Sequence, residues 1–211
     1  VGAAIGVLAF RNYHKEQTPP DREKFIVNLV GEILKKGHYH PKAIDDNFSK
    51  EVFAKFIADL DSEKGIFLQS DITNLKKYET SIDDEINTNE PLYFLDSANA
   101  IYEKRMKEAA QYYPDILSHP FDFNKNDSIQ LDVDKIDYPA NEVARKKAWT
   151  IFLKYRTLDK LIELQDLQKK AIKDSAHYIV KSDSALQADA RGKVKENRQR
   201  FFERLNTTFN E

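Results

Sequence analysis

Apolar residues recur at intervals of three and four along almost the whole chain of 211 residues. This spacing places them on one side of an α-helix, whereas the strict alternation of a half-buried strand does not recur. The sequence therefore predicts an all-α fold, an irregular bundle of about six helices. No signature repeats at a fixed period, which argues against a helical solenoid.

The limits of the helices follow from capping residues, glycines and prolines. The predicted helices cover 21–36, 50–60, a segment from Ser70 through Ile86, a segment from near Pro91 to Pro114, 142–172, and a segment from Ser184 to the C-terminus. Asp21 and Ser49 are expected to cap the first two helices, and Gly37 to end the first. Pro114 disfavours helical geometry at Tyr113.

Two helices carry wide apolar stripes, and we expect both stripes to face the core. The stripe of the first helix consists of Phe25, Ile26, Leu29, Val30, Ile33 and Leu34. The stripe of the fifth consists of Ala144, Ala148, Ile151, Tyr155, Leu158 and Ile162, widened by Trp149, Phe152, Leu161 and Leu164. At about 1.5 Å per residue the fifth helix would be roughly 45 Å long, which makes it the predicted backbone of the bundle.

Residues 118–140 interrupt the helical periodicity and are rich in Asp and Asn. A loop of this length in a compact domain is usually held by packing of its own side chains. Phe121 and Phe123 are the residues expected to hold it. The sequence thus predicts one long ordered loop before the fifth helix.

The first ten residues, Val1–Phe10, are apolar or small, and Arg11 follows them. About 20 apolar residues are needed to span a bilayer, so this stretch alone is too short. It is typical of the end of a signal-peptide core or membrane anchor, with the residues up to Pro20 as a tether. A short buried element is the alternative. We expect an exported chain in which residues 1–20 precede a helical domain of residues 21–211.

The composition excludes several classes of function. A formal net charge of -2 provides no overall attraction for nucleic acid. The 6 glycines form no Gly-x-Gly pair, which excludes the common phosphate-binding loops. The cysteine count is 0, which excludes disulfides, thiolate metal sites and thiol nucleophiles. We predict neither a cofactor nor a nucleic-acid partner.

Serines and acidic residues near predicted helix ends are interpreted as structural. Ser49, Ser70 and Ser184 stand at predicted helix starts, where a hydroxyl can cap the helix, and no Gly-x-Ser-x-Gly element is present. The run 83–85 (Asp-Asp-Glu) cannot form a carboxylate pair, because adjacent helical residues point to different sides. We expect this run to be a solvated face, and we assign no catalytic residue.

One segment imitates a calcium loop without completing it. Asp122, Asn124 and Asn126 match the first three ligand positions of an EF-hand. However, Asp127 replaces the required glycine and Val133 replaces the bidentate glutamate. Turns stabilised by Asp and Asn side chains explain the same residues, so no metal ligand is assigned.

Two other polar features lack the context that a site needs. His38 and His40 are close in sequence, but no third metal ligand can be identified. A metal-binding helical protein remains a minor alternative. The last helix carries a basic run of Arg191, Lys193, Lys195, Arg198, Arg200 and Arg204. We interpret the run as a solvated face, with an acidic partner surface as the alternative.

Two stretches, 47–72 and 119–149, carry a specific spacing of apolar, acidic and aromatic residues. In the first the pattern consists of Phe48, Ser49, Phe53, Ile57, Leu60, Asp61, Phe67, Leu68, Ser70, Asp71 and Ile72. In the second it consists of Pro120, Phe121, Asp122, Phe123, Asn126, Asp127, Leu131, Asp132, Pro139, Asn141, Glu142 and Trp149. Both stretches resemble the N-terminal helical domain of tail-specific (carboxy-terminal-processing) proteases of the bacterial envelope. Tyr138 stands where that family usually has Trp.

The resemblance implies a non-catalytic N-terminal domain of a periplasmic serine protease that processes C-termini. It implies a PDZ domain and a Ser/Lys protease core downstream, so neither catalytic residue is assigned here. The implied partners are the downstream domains, protein or peptide substrates and an adaptor protein, with the leader as the contact to the membrane. A stand-alone helical protein-interaction module tethered to the envelope is the alternative.

Overall fold

The computed structural model describes residues 20–37, 39, 41, 43–88, 90–174 and 178–210. Over these residues the chain forms helices and loops, and no strand, which confirms the all-α class. The α-helices are α1 (Pro20–Lys36), α2 (Asp46–Leu60), α3 (Gln69–Leu75), α4 (Ile82–Asn87), α5 (Tyr93–Ala109), α6 (Tyr112–Ile116), α7 (Glu142–Asp174) and α8 (Asp183–Asn210). None of the described helices is both long and apolar enough to cross a bilayer.

The helix predicted from Ser70 through Ile86 is wrong, because the structure divides it. A 3-10 turn at Lys76–Tyr78 follows α3, and α4 starts only at Ile82. The Ser81 N–H donates to the carbonyl of Tyr78 at 3.2 Å, which closes a turn instead of continuing the helix. Thr80 and Ser81 are weak helix formers because their hydroxyls compete for backbone groups.

Pro114 does not end a helix as predicted. Tyr113 and Pro114 both lie within the short helix α6. Pro114 sits in its first turn, where a missing N–H costs no helical hydrogen bond. The expectation of non-helical geometry at Tyr113 is therefore wrong.

Helix α2 begins earlier than predicted and has a different cap. The Asp45 carboxylate accepts hydrogen bonds from the N–H groups of Asn47 and Phe48 at 3.0 and 3.1 Å. Asp45 is thus the N-cap, and Ser49 lies inside the helix. At α1 the prediction is confirmed, because the helix ends at Lys36 and the Gly37 N–H bonds to the carbonyl of Ile33. The Asp21 side chain lies outside the described part.

The main core lies where α2, α5, α7 and α8 meet the turn between α2 and α3. Its fully or almost fully buried side chains include Phe53, Ile57, Phe67, Leu75, Phe94, Ala98, Tyr102, Met106, Trp149, Leu153, Val194 and Phe202. The Phe94 ring contacts the rings of Phe53 and Phe56. A smaller cluster of Leu161, Leu186 and Ala190 joins α7 to α8.

Helix α7 buries a different face from the predicted one. The buried residues recur every four positions and are Arg145, Trp149, Leu153, Thr157 and Leu161. Leu158 and Ile162, both in the predicted stripe, are 37% and 51% exposed. The prediction failed because the buried row includes an arginine and a threonine, which an apolar pattern excludes. Trp149 and Leu161 from the predicted stripe are confirmed as core residues.

Most of the apolar stripe predicted for α1 also lies on the outside, although Ile26 and Leu34 are half-buried. Phe25, Leu29 and Ile33 are exposed, whereas Gly31 is buried against α4. A Cβ atom at Gly31 would lie 2.5 Å from Cγ2 of Ile86, so a side chain here would force the two helices apart. The close approach of the α1 backbone to the Ile86 side chain, which Gly31 permits, therefore helps to orient α1.

The long loop of residues 118–140 is ordered and held by aromatic side chains, as predicted. Phe121 packs against the main core, and Phe123 packs against the smaller cluster between α7 and α8. The two ring centroids are 6.1 Å apart. The loop therefore covers both clusters along one side of α7.

The two faces of α7 can be compared with a matched pair of substitutions. Leu153→Ala should leave a cavity and lower the free energy of unfolding by about 2–5 kcal/mol. Leu158→Ala, one turn away on the partly exposed face, should cost less than about 1 kcal/mol. Urea unfolding followed by circular dichroism measures both, and equal losses would contradict the assignment of the buried face.

Candidate functional site

The most constrained polar region is the turn of residues 61–68 between α2 and α3. The Asp61 carboxylate accepts hydrogen bonds from the N–H groups of Gly65, Ile66 and Phe67 at 2.9, 2.9 and 2.8 Å. Burial raises the pKa of this carboxyl, although the three hydrogen bonds oppose that shift. The residue with positive φ is Lys64, at 49°, rather than Gly65. One buried side chain thus satisfies three consecutive backbone N–H groups of the turn.

Two side chains of α7 bind the same turn from the opposite side. The Trp149 indole N–H donates to the carbonyl of Gly65 at 2.8 Å. The Arg145 guanidinium donates from Nη1 to the carbonyl of Ile66 at 2.6 Å. Both side chains lie on the buried row of α7, four residues apart, so one helix face supplies both contacts.

A network of ion pairs continues from Arg145 into α3 and α5. Arg145 Nη2 lies 2.6 Å from Glu108 Oε2, and Arg105 Nη1 lies 3.0 Å from the same oxygen. Arg105 also donates two hydrogen bonds to the Asp71 carboxylate, at 2.8 and 2.9 Å. Glu142 lies 3.9 Å from both guanidinium groups. We refer to Asp71, Arg105, Glu108, Glu142 and Arg145 as the arginine network.

The protonation states within the arginine network follow from these contacts. Burial alone would raise the pKa of Glu108, but hydrogen bonds from Arg145 and Arg105 outweigh burial and lower it. The hydrogen bonds to Asp71 raise the pKa of Arg105. Both shifts favour the charged forms of Glu108 and Arg105, which strengthens the ion pairs between them. The network thus fixes the positions of the helices that carry it.

The predicted helix-cap serines occupy different positions in the structure. Ser49 is fully buried, and its hydroxyl donates to the Asp83 carboxylate at 2.5 Å and accepts from the Asp83 N–H at 2.8 Å. Ser70 and Ser184 are exposed second residues of α3 and α8. The cap assignment is therefore wrong for all three serines, because each lies inside its helix, and Ser49 instead connects α2 to the start of α4.

The acidic run 83–85 is not the solvated face that we predicted. Asp83 and Glu85 are buried, and only Asp84 is exposed. Glu85 Oε1 accepts a hydrogen bond from the N–H of Phe94, in the first turn of α5, at 2.9 Å. Burial raises the pKa of Glu85 to about 7, against the opposing effects of that hydrogen bond and of Lys24. The Glu85 carboxyl thus satisfies a backbone N–H at the start of α5, whereas the Asp83 carboxyl accepts from the Ser49 hydroxyl.

The two segments that imitate metal sites have different outcomes. His38 and His40 lie outside the described residues. In the calcium-like segment, Asp122 Oδ1 accepts a hydrogen bond from the Asn124 N–H at 3.0 Å, which forms the expected Asx-type turn. Asp127 forms an ion pair with Lys154 of α7. Over the residues that the structure describes, no group of three potential ligands converges.

The basic run on α8 is mostly exposed, with one inward contact. The Arg198 guanidinium lies 5.0 and 5.1 Å from the ring centroids of Phe201 and Phe152, and 3.3 Å from Glu63. Lys193 pairs with Glu196 one turn away. Arg198 therefore helps to attach α8 to the turn of residues 61–68, and the rest of the run is a solvated face as predicted.

An open groove of about 610 Å³ lies beside α7, between Tyr112 and Lys154. Its basic residues include Lys146 and Lys154, which pair with Asp115 and Asp127. These two cations already have carboxylate partners, and the exposed Lys147 also lines the groove.

The most important residues of this site were not singled out as a group by sequence reasoning. Asp61, Asp71 and Trp149 belong to the residue patterns of 47–72 and 119–149, and that spacing was the available signal. Arg105, Glu108 and Arg145 had no signal, because charged residues in a helix are usually solvated. The structure brings both patterns together: Trp149 contacts Gly65, and the Gln69 N–H bonds to the carbonyl of Pro139 at 2.9 Å.

Glu85 gives this region a predictable pH dependence. Its folded-state pKa of about 7 exceeds the ordinary value of 4.5. The stability that protonated Glu85 contributes is therefore fully present below pH 4.5 and is lost as the pH rises through 7. Glu85→Gln keeps an acceptor for the Phe94 N–H but cannot ionise. Between pH 5 and 8 the unsubstituted chain should lose about 2 kcal/mol relative to this variant.

Urea unfolding at a series of pH values measures that difference directly. Asp84→Asn, at the exposed neighbouring position, is the matched control and should show no comparable change. A difference between Glu85→Gln and the unsubstituted chain that stays constant from pH 5 to 8 would contradict the assignment.

Comparisons with known proteins match most of the described fold. A family model described as tail specific protease N-terminal domain matches residues 30–210. A tail-specific protease of Haemophilus influenzae is 32% identical over 144 residues, which is 66% of this chain and 20% of that protein. The aligned region therefore spans about a fifth of the length of that relative.

Proposed function

Because the chain belongs to the family of tail specific protease N-terminal domains, we propose that it acts as the non-catalytic scaffold of a longer envelope protease. The observation that carries the proposal is the family match over residues 30–210, which includes the C-terminal part of α1 and every later described helix. A scaffold requires a fixed arrangement of helices rather than a reactive centre.

The local geometry supports a scaffolding role. Asp61, Trp149 and Arg145 together satisfy five backbone groups of the turn 61–68. The residue patterns that resemble the family thus contain residues that hold the fold. Side chains fixed by several buried hydrogen bonds give a rigid surface, which is what neighbouring domains need for reproducible docking.

The parent protein is proposed to carry the catalytic part elsewhere in its sequence. The aligned relative is called a tail-specific protease, and the chain spans only about a fifth of it. We propose that the parent adds a PDZ domain, which would bind substrate C-termini by strand addition, and a protease core with a Ser nucleophile and a Lys base. The proposed partners are these domains, protein or peptide substrates and an adaptor protein.

The proposed location is the periplasm or cell envelope. Its support is the apolar segment Val1–Phe10, followed by a polar tether, at the start of the sequence.

Peptide cleavage tests whether this chain is non-catalytic while the full-length parent is active. The purified chain of residues 1–211 should show no turnover of a peptide with an apolar C-terminus, whereas the full-length parent should cleave it. In the parent, Leu153→Ala should lower activity at temperatures where the weakened domain opens, and Leu158→Ala should not. Turnover by the isolated chain would refute the non-catalytic assignment. Equal activity of both parent variants at every temperature would contradict the scaffold role.

A further inference from the structure

Helix α1 presents an apolar outer face, which we define as Phe25, Leu29, Val30 and Ile33. Their side chains are 65%, 47%, 49% and 57% exposed. Phe25, Leu29 and Ile33 are spaced by four residues and form one continuous row along the helix. Scattered exposed apolar side chains are normal, but a contiguous row marks an interaction surface.

The outer face is fixed in its outward orientation by the opposite side of α1. Gly31 on that side lies against Ile86, close enough that no Cβ would fit without a shift. The ammonium group of Lys24 bonds to the backbone carbonyl of Glu85. A rotation that buried the apolar row would break both contacts, so the row faces away from the helix that α1 packs against.

The outer face of α1 is too small to hold a second copy of the chain by itself. Four half-exposed side chains supply roughly 400 Å² of apolar area at most. A stable interface between two proteins buries about 800 Å² on each partner. The outer face of α1 would need substantial help from other surfaces to hold a dimer together.

The sequence before α1 favours a lipid surface as the partner of the outer face. The apolar segment Val1–Phe10 has the character of a membrane anchor or signal core, and only the nine residues 11–19 separate it from Pro20. Nine residues extend at most about 30 Å. While Val1–Phe10 is inserted in a bilayer, α1 is held within that distance of the lipid surface.

We propose that the outer face of α1 lies on the bilayer surface, with its apolar row at the boundary between headgroups and acyl chains. Helices with an apolar row and basic flanking residues bind lipid in this way. Arg22 and Lys36 are exposed near the two ends of the row, on the side that would face anionic headgroups, and Lys36 also pairs with Glu32 one turn before it. The proposal rests on the envelope location given under the proposed function, and it adds α1 to the leader as a membrane contact.

A single fluorescent label tests the contact, because the chain has a cysteine count of 0. Leu29→Cys in the chain of residues 1–211 is labelled with the environment-sensitive dye NBD. Vesicles of phosphatidylethanolamine and phosphatidylglycerol are added, with and without a nitroxide-labelled lipid. The label should become brighter and blue-shifted on the vesicles and should be quenched by the nitroxide. Ile179→Cys, 86% exposed near the start of α8, is the matched control and should not respond.

A pair of charge substitutions gives an independent measure. Phe25→Glu combined with Leu29→Glu should weaken vesicle binding by at least about tenfold. The free energy gained by burying a single large apolar side chain already corresponds to about a tenfold change in affinity. Leu167→Glu on the exposed side of α7 should have no effect. Phe25, Leu29 and Leu167 are all exposed, so circular dichroism should show unchanged helix content in both variants.

Other results would overturn the proposal and identify the cover. A label at position 29 that does not change while the chain binds vesicles would assign membrane contact to Val1–Phe10 alone. A lipid-independent shift that grows with protein concentration would indicate a second copy. A label already shifted in the full-length parent without vesicles would indicate its other domains. Peptide cleavage by that parent is measured in parallel. If the lipid response is absent while cleavage is normal, the membrane contact of α1 is refuted and the scaffold role is unaffected.

Discussion

The rest of the fold depends on how the turn of residues 61–68 is held. Asp61 satisfies three of its N–H groups from within, and Trp149 and Arg145 of α7 bind two of its carbonyls from outside. Helices α2 and α3 therefore keep a fixed relation to the long helix α7, and α8 packs along α7 through Trp149 and Phe202. Buried backbone groups must be paired, so this turn could not stay buried without these side chains.

Burial of charged side chains in the arginine network costs desolvation free energy, which the ion pairs offset. Arg145 is fully buried, and it shares Glu108 with Arg105, which also holds Asp71. A buried ion pair often stabilises no more than an apolar replacement would, but removal of one partner leaves an unpaired charge. The network therefore favours one arrangement of α3, α5 and α7 over alternatives of similar packing. This is the property expected of a domain that positions other domains.

The features that depend on local periodicity could be predicted from the sequence. The features that depend on tertiary contacts could not. The all-α class, the limits of α7 and α8, and the aromatic anchoring of the 118–140 loop were predictable, since caps, spacing and aromatic residues are local signals. The buried face of α7 was not, because Arg145 is buried by contacts with the distant residues Ile66 and Glu108. The outward orientation of α1 was also unpredictable, because Gly31 helps to set it through contact with Ile86.

The measurement that tests this account most directly compares two arginines of α7. Arg145→Met removes the contact to Ile66 and the pair with Glu108, whereas Arg156→Met changes an exposed arginine on the same helix. The account predicts that the first substitution lowers the free energy of unfolding by about 3–5 kcal/mol and that the second changes it by less than about 0.5 kcal/mol. Equal stability of the two variants in urea would show that the fold does not depend on the turn as described.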